Sequence, residues 1–105
     1  MSLKNFQEDV DKWTEQFTPQ YWPPYEIMTR LTEEVGELGR EINHLYGTKK
    51  KKEDEAKKNL GQELTDIIFT VVCMANSHEI DLEKEWKESM DEKHYGRDQK
   101  RFKKK

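Results

Sequence analysis

The sequence has a single cysteine, Cys73, so an internal disulfide is excluded. Its neighbourhood, IIFTVVCMA, is the most apolar in the chain, and a lone cysteine there reads as packing rather than as a nucleophile. That segment is also the longest apolar run, far short of the ~20 residues that span a bilayer. No membrane partner is expected. The start, MSLKNFQEDVDKW, lacks both a basic segment and an apolar stretch of the secretory kind, so a cytoplasmic protein is expected. A basic excess is missing too: the formal net charge is −3 and the pI is near 5.7. Dedicated nucleic-acid binding is therefore not expected. Apolar residues are scarce, at 32% against 39% charged, in a chain of 105 residues. So little core material makes one domain and favours self-association, as a homodimer or homotetramer. There is no internal repeat, and the lysine run at 49–52 is the one low-complexity tract.

What is present is helical periodicity. Leu3, Phe6, Val10, Trp13 and Phe17 form a stripe that predicts a first helix over about 2 to 17, ended by Pro19 and the Pro23-Pro24 pair. A second helix is predicted from about 25 to 46, stopping at Gly47. The charged GTKKKKEDE stretch reads as an exposed connection. A third helix is predicted from 54 or 58 to 77, and a fourth from the N-cap Asp81 to about Tyr95, before Gly96. Nothing reads as a strand except IIFTVVC, whose β-branched residues would suit one but which is embedded in a longer helical pattern. The expected fold is all-α, an oligomeric, antiparallel four-helix bundle-like domain over 1 to 96, with a basic C-terminal tail at 97 to 105.

The second helix contains LTEEVGELGREIN, in which Leu31, Val35, Leu38 and Ile42 share one face and Glu33, Glu34, Glu37 and Glu41 fill the next. Taken alone, this is the wet side of an amphipathic helix. The third helix changes that reading. Leu60, Leu64, Ile67, Ile68, Val71, Val72, Met74 and Ala75 cover more than half its circumference, which calls for burial by neighbours and by another subunit. Glu63 and Asp66 nevertheless sit at its start. They lie either at a solvated helix N-terminus, where negative charge is favoured, or inside, where they need compensating positive charge. Glu34 and Glu37 are three apart, as are Glu63 and Asp66, so each pair projects from one side of its helix. On antiparallel helices the four converge. No histidine falls in either pair, and an all-oxygen set suits a hard cation, Mg²⁺ first with Mn²⁺ as substitute.

EExxE at 33 to 37 followed by ExxD at 63 to 66, on consecutive helices of a small all-α chain, resembles the MazG-like nucleotide pyrophosphohydrolases of the all-α NTP pyrophosphatase superfamily. The resemblance runs from about Trp13 to Arg101. It implies Mg²⁺-dependent hydrolysis of a nucleoside triphosphate to the monophosphate and pyrophosphate, with housecleaning of the nucleotide pool as a role. It further implies metal ligation by Glu34, Glu37, Glu63 and Asp66, and Glu33 matches the first acid of the motif. Glu33 or Glu37, beside the metal, is the candidate to take the proton of the attacking water.

The resemblance also implies a basic, phosphate-binding pair, matched by Lys93 and Arg97, although a solvated C-terminus would show the same residues. Tyr21 and Trp22 stand where relatives line the nucleobase pocket; packing the loop against the bundle is the other role open to them. His44, two turns beyond Glu37 on nearly the same face, is either a base-pocket floor or an exposed histidine. Trp13, Trp86, Phe69 and Met74 read as core or interface. The competing functional class is a nucleotide-sensing or scaffold bundle that keeps the acidic site without turnover.

Overall fold

Ser2 caps the first helix, α1 (Leu3–Thr14): its hydroxyl accepts from the Asn5 N–H at 3.2 Å, and Asn5 Oδ1 accepts from the Ser2 N–H at 2.9 Å. This reciprocal pair satisfies two donors left free at a helix start. The computed structural model describes residues 1–47 and 53–105, with side chains described at 1–47 and 59–105. Three more helices follow, α2 (Pro24–Tyr46), α3 (Glu53–Ser77) and α4 (Leu82–Ser89), then a π-helical stretch Met90–Arg97 and a 3-10 turn Asp98–Lys100. Among the described residues there is no strand, so IIFTVVC is helical. No described helix is long and apolar enough to cross a membrane. The lysine run at 49–52 lies outside the described residues.

α1 ends three residues before its stripe does. The Thr14 hydroxyl turns back to donate to Val10 O at 2.8 Å, and the Phe17 N–H closes a tight turn on Thr14 O at 3.0 Å. The loop that follows holds a cis Thr18–Pro19 bond and is tied down by Gln20, whose Nε2 donates to Asp11 Oδ1 at 2.9 Å. Pro24 then opens α2, where its fixed φ fits and its missing N–H is not needed. Gly47 ends it, as expected: a Cβ there would lie 2.6 Å from Asn43 O. Gly96 serves the wider π turn in the same way, since a Cβ would meet Asp91 O at 3.0 Å.

α2 and α3 pack along each other in antiparallel sense, α1 lies on α3, and α4 lies on α1. Gln7 is the fastener between them. Its Nε2 donates to Asn76 Oδ1 at 2.7 Å and Ile80 O at 2.8 Å, while its Oε1 accepts from the Leu82 N–H at 3.0 Å. Asp81 caps α4 as expected, accepting from the Lys84 N–H at 3.2 Å.

The buried line of α2 corrects the simple amphipathic reading. Ile27, Glu34 and Glu41 are buried and Leu31 and Leu38 half-buried, while Val35 and Ile42 are 51% and 41% exposed. The helix is rotated so that Glu34 and Glu41 turn inward while Val35 and Ile42 turn out. α3 shows the complement: Thr70, Val72 and Ala75 are buried, while Leu64, Ile68 and Val71 remain exposed. The face expected to need another subunit is thus left open by the single chain.

Candidate active site

Glu34 is 3% exposed, and Arg30 stands one turn before it on α2. Arg30 Nε donates to Glu34 Oε1 at 2.8 Å, whereas the other oxygen, Oε2, is buried with no partner. Glu63 approaches from α3, and its Oε2 is likewise buried and unpartnered. Glu37 completes the group: Glu34, Glu37 and Glu63 each present a carboxylate oxygen within 4.8 Å of the others. Glu63's pKa is pushed up to about 7, first by burial, then by its hydrogen bond with Glu37 and by the charges of Glu37, Glu34 and Asp66. A carboxyl in that state is short of positive charge. Two orphaned buried oxygens and an all-oxygen donor set fit a hard divalent cation.

Asp66, the fourth expected carboxylate, lies outside this close trio and on the wall of an adjoining cavity of about 680 Å³. Arg30 and Glu34 border the same acidic end. The other end is aromatic, with Trp13, Phe17, Tyr21, Trp22 and Phe69 around it. Trp13 organises these rings, meeting Phe17 edge-on at 4.9 Å and Phe69 at 6.0 Å. An apolar slot running into a cluster of carboxylates can hold a planar group at one end and a cation-bridged anion at the other.

Residues 23–102 match the MazG nucleotide pyrophosphohydrolase domain. The chain belongs to the MazG nucleotide pyrophosphohydrolase family. The Bacillus subtilis protein YpjD is 48% identical over 82 residues, which cover 78% of this chain and 74% of YpjD. The crystal structure of YpjD superposes with a TM-score of 0.80 at 42% identity, covering 90% of this chain and 96% of that one. A second crystal structure, of a Bacillus-conserved MazG protein described as a nucleotide pyrophosphohydrolase, gives 0.76 at 40% identity, covering 88% of both chains. The resemblance read from the acidic motifs is therefore a family relationship, and nucleotide pyrophosphohydrolysis is the chain's enzymatic class.

In this MazG-family chain the expected site residues do not all assemble. Tyr21 lines the cavity with its ring, but its hydroxyl points away, donating to Asp11 Oδ1 at 2.9 Å and accepting from Asn76 Nδ2 at 3.0 Å. Burial pushes that phenol's pKa up. Trp22 stands at the rim, 54% exposed, between the cavity and a smaller cleft bordered by Glu26, Thr29, Arg30 and Glu33. Glu33 belongs to that outer cleft, its Oε2 4.0 Å from Arg30 Nη1, rather than to the trio.

His44 is not brought to the cavity. α2 reaches the cavity through Ile27, Arg30 and Glu34, while His44 lies about 10 Å past Glu37 the other way. Its Nδ1 sits 3.2 Å from the buried carboxylate of Glu41. Lys93 and Arg97 are also absent from the cavity wall; the π-helical stretch that carries them runs on directly from α4. Arg97 Nε is held 3.0 Å from Asp98, whose carboxyl it keeps below the usual range.

Arg30, Trp13 and Phe69 are among the cavity residues that escaped sequence reasoning. Arg30 had a legible signal, its four-residue spacing to Glu34. Trp13 and Phe69 had none, since a ring on an apolar stripe reads as core whether it faces a neighbour or a cavity.

Proposed function

We propose that the chain is a Mg²⁺-dependent nucleoside triphosphate pyrophosphohydrolase, converting an NTP or dNTP and water to the monophosphate and pyrophosphate in the cytoplasm as nucleotide housecleaning. The observation that supports this most is the pair of orphaned buried oxygens, Glu34 Oε2 and Glu63 Oε2, beside Glu37 at the acidic end of an aromatic cavity. Glu34, Glu37, Glu63 and Asp66 would hold the metal. When bound, Mg²⁺ supplies charge neutralisation on the phosphates and a more acidic water.

The chain's own residues supply the rest. The rings of Trp22, Tyr21, Trp13 and Phe69 take the base, which sets the phosphate chain toward the carboxylates. Glu37, the exposed member of the trio, is assigned the proton of the attacking water, with Glu33 on the outer cleft in second place. The basic pair Lys93 and Arg97, and likewise His44, would meet a nucleotide through a second copy of the chain. Self-association as a homodimer or homotetramer is part of the proposal. The radius of gyration is 17.0 Å, against about 13 Å for a compact domain of ~100 residues. Exposed Val35, Ile42, Leu64 and Ile68 supply the apolar surface to be covered.

Incubation with a panel of NTPs and dNTPs plus Mg²⁺, with products separated by ion exchange, tests the reaction. Equal amounts of monophosphate and pyrophosphate are expected, and both should vanish in Glu34→Gln and Glu63→Gln. Release of diphosphate and orthophosphate would move the cut to another bond. Binding without turnover would favour a sensing module.

A further inference from the structure

The cavity wall carries five aromatic rings and two carboxylates but, among the described residues, one cation, Arg30. It borders both the main cavity and the smaller cleft, so it stands where the aromatic and acidic halves meet. Its contacts are asymmetric. Nε is 2.8 Å from Glu34 Oε1, while Nη1 reaches only 4.0 Å from Glu33 Oε2. The Arg30 side chain is 55% exposed and that of Glu34 4%, so a solvated arginine reaches inward to hold a buried carboxylate by one oxygen. The oxygen it leaves free, Oε2, is buried without a partner, and the Glu34 carboxylate shares a close cluster with those of Glu37 and Glu63.

We propose that Arg30 is the positioning residue of the metal site: by occupying Glu34 Oε1 it fixes the rotation of the carboxylate and presents Oε2 alone to the cation. This rests on the metal-dependent reading above and goes beyond it, because it names how one ligand is oriented. Two effects of the guanidinium oppose each other. Its charge repels an incoming cation, which weakens metal binding. Its hydrogen bond prevents Glu34 from turning or from engaging with both oxygens, which preorganises the site; outer partners of metal ligands are typically worth about 10–100-fold in affinity or activity. A guanidinium is planar and donates in a fixed direction, whereas an ammonium is a mobile point charge. Orientation therefore depends on arginine itself, while charge compensation of buried Glu34 needs only a cation.

The two effects predict opposite signs for one measurement. Mn²⁺ binding to the metal-free protein, without nucleotide, is followed by electron paramagnetic resonance in wild type, Arg30→Met and Arg30→Lys, with circular dichroism melts recording folding. If orientation governs, Arg30→Met binds Mn²⁺ about 10–100-fold more weakly and Arg30→Lys recovers only part of the loss. Mn²⁺ binding by Arg30→Met at or above wild-type affinity would overturn the proposal, and so would full recovery by lysine. Should Arg30→Met fail to fold, Arg30→Lys, which keeps the charge, decides alone: weakened binding supports the role and wild-type binding overturns it. Wild type that binds no Mn²⁺ would overturn both this role and the metal site. Wild type that binds Mn²⁺ but releases no pyrophosphate would overturn the proposed reaction only.

Discussion

The Tyr21 hydroxyl is joined to Asn76, fifty-five positions away, by a hydrogen bond of 3.0 Å. It also donates to Asp11 at 2.9 Å, so one phenol pins the proline-rich loop to both α1 and α3. Tyr21 is thus half cavity wall and half fastener, and Trp22 beside it is left free at the rim. Removing the hydroxyl in Tyr21→Phe should destabilise the fold by about 1 kcal/mol while leaving the ring in place. A drop of about 4–8 °C in melting temperature is expected, with little change in nucleotide KM. An unchanged melting temperature would remove the fastening role.

Trp22→Ala should weaken nucleotide binding by roughly 1–3 kcal/mol, and by similar amounts for every base, because any base offers a π face. The hydroxyls near it are already committed: Thr14 donates to Val10 O, Thr70 to Asp66 O, and Tyr21 to Asp11. Few donors remain to read base edges. Titration of wild type and variant with four nucleotides under Ca²⁺, to suppress turnover, checks this. A loss confined to one base would show edge reading instead.

The raised pKa of Glu63 sets a pH dependence for the metal-free protein. Its carboxyl takes a proton at about 7 in the folded state, against a reference value of 4.5, so between those pH values the folded chain binds more protons than the unfolded one. Stability must then fall as pH rises from about 4.5 to 7, and level off above. Melting in EDTA should be lower at pH 7.5 than at pH 5, and Glu63→Gln should flatten that difference. Mg²⁺ should restore stability at pH 7.5 by binding the folded state alone. An equal slope in Glu63→Gln would assign the effect to other groups.

Ile68→Glu should convert an oligomer to a smaller species. Ile68 is 49% exposed on α3, and Val35 is 51% exposed on α2; a carboxylate there would be buried without a partner by any second copy covering this face. Sedimentation at micromolar concentration is the measurement, with Val35→Glu as the parallel variant. Wild type that sediments as a monomer would end the argument for a covered face.

Much of this molecule was legible in its residue pattern, because capping, proline placement and periodicity are local. Asp81 at the start of α4 and Gly47 at the end of α2 act through atoms within four residues, and they set helix ends where sequence places them. The acidic motif was legible for the same reason, since i, i+3 spacing on a helix is geometry that needs no partner. The ends less well placed are those decided by longer-range contacts. α1 stops at Thr14 because Gln20 and Tyr21 bond back to Asp11, and that contact has no periodicity to read.

The rotation of α2 belonged to tertiary structure alone. By hydropathy Val35 and Ile42 belong inside and Glu34 and Glu41 outside, yet the reverse holds. Hydropathy ranks each side chain against water as if it were isolated, whereas burial of Glu34 depends on what it meets: Arg30 on one oxygen, and the carboxylates of Glu63 and Glu37 close by. The same limit explains why His44 shares a helix face with Glu37 but not its carboxylate cluster, and why Trp13 lines a slot rather than a core. The sequence by itself determined which carboxylates a helix would carry and at what spacing. Which of them share one space, and which rings stand beside them, was decided only when α3 was laid against α2 and the loop was pinned across α1 and α3.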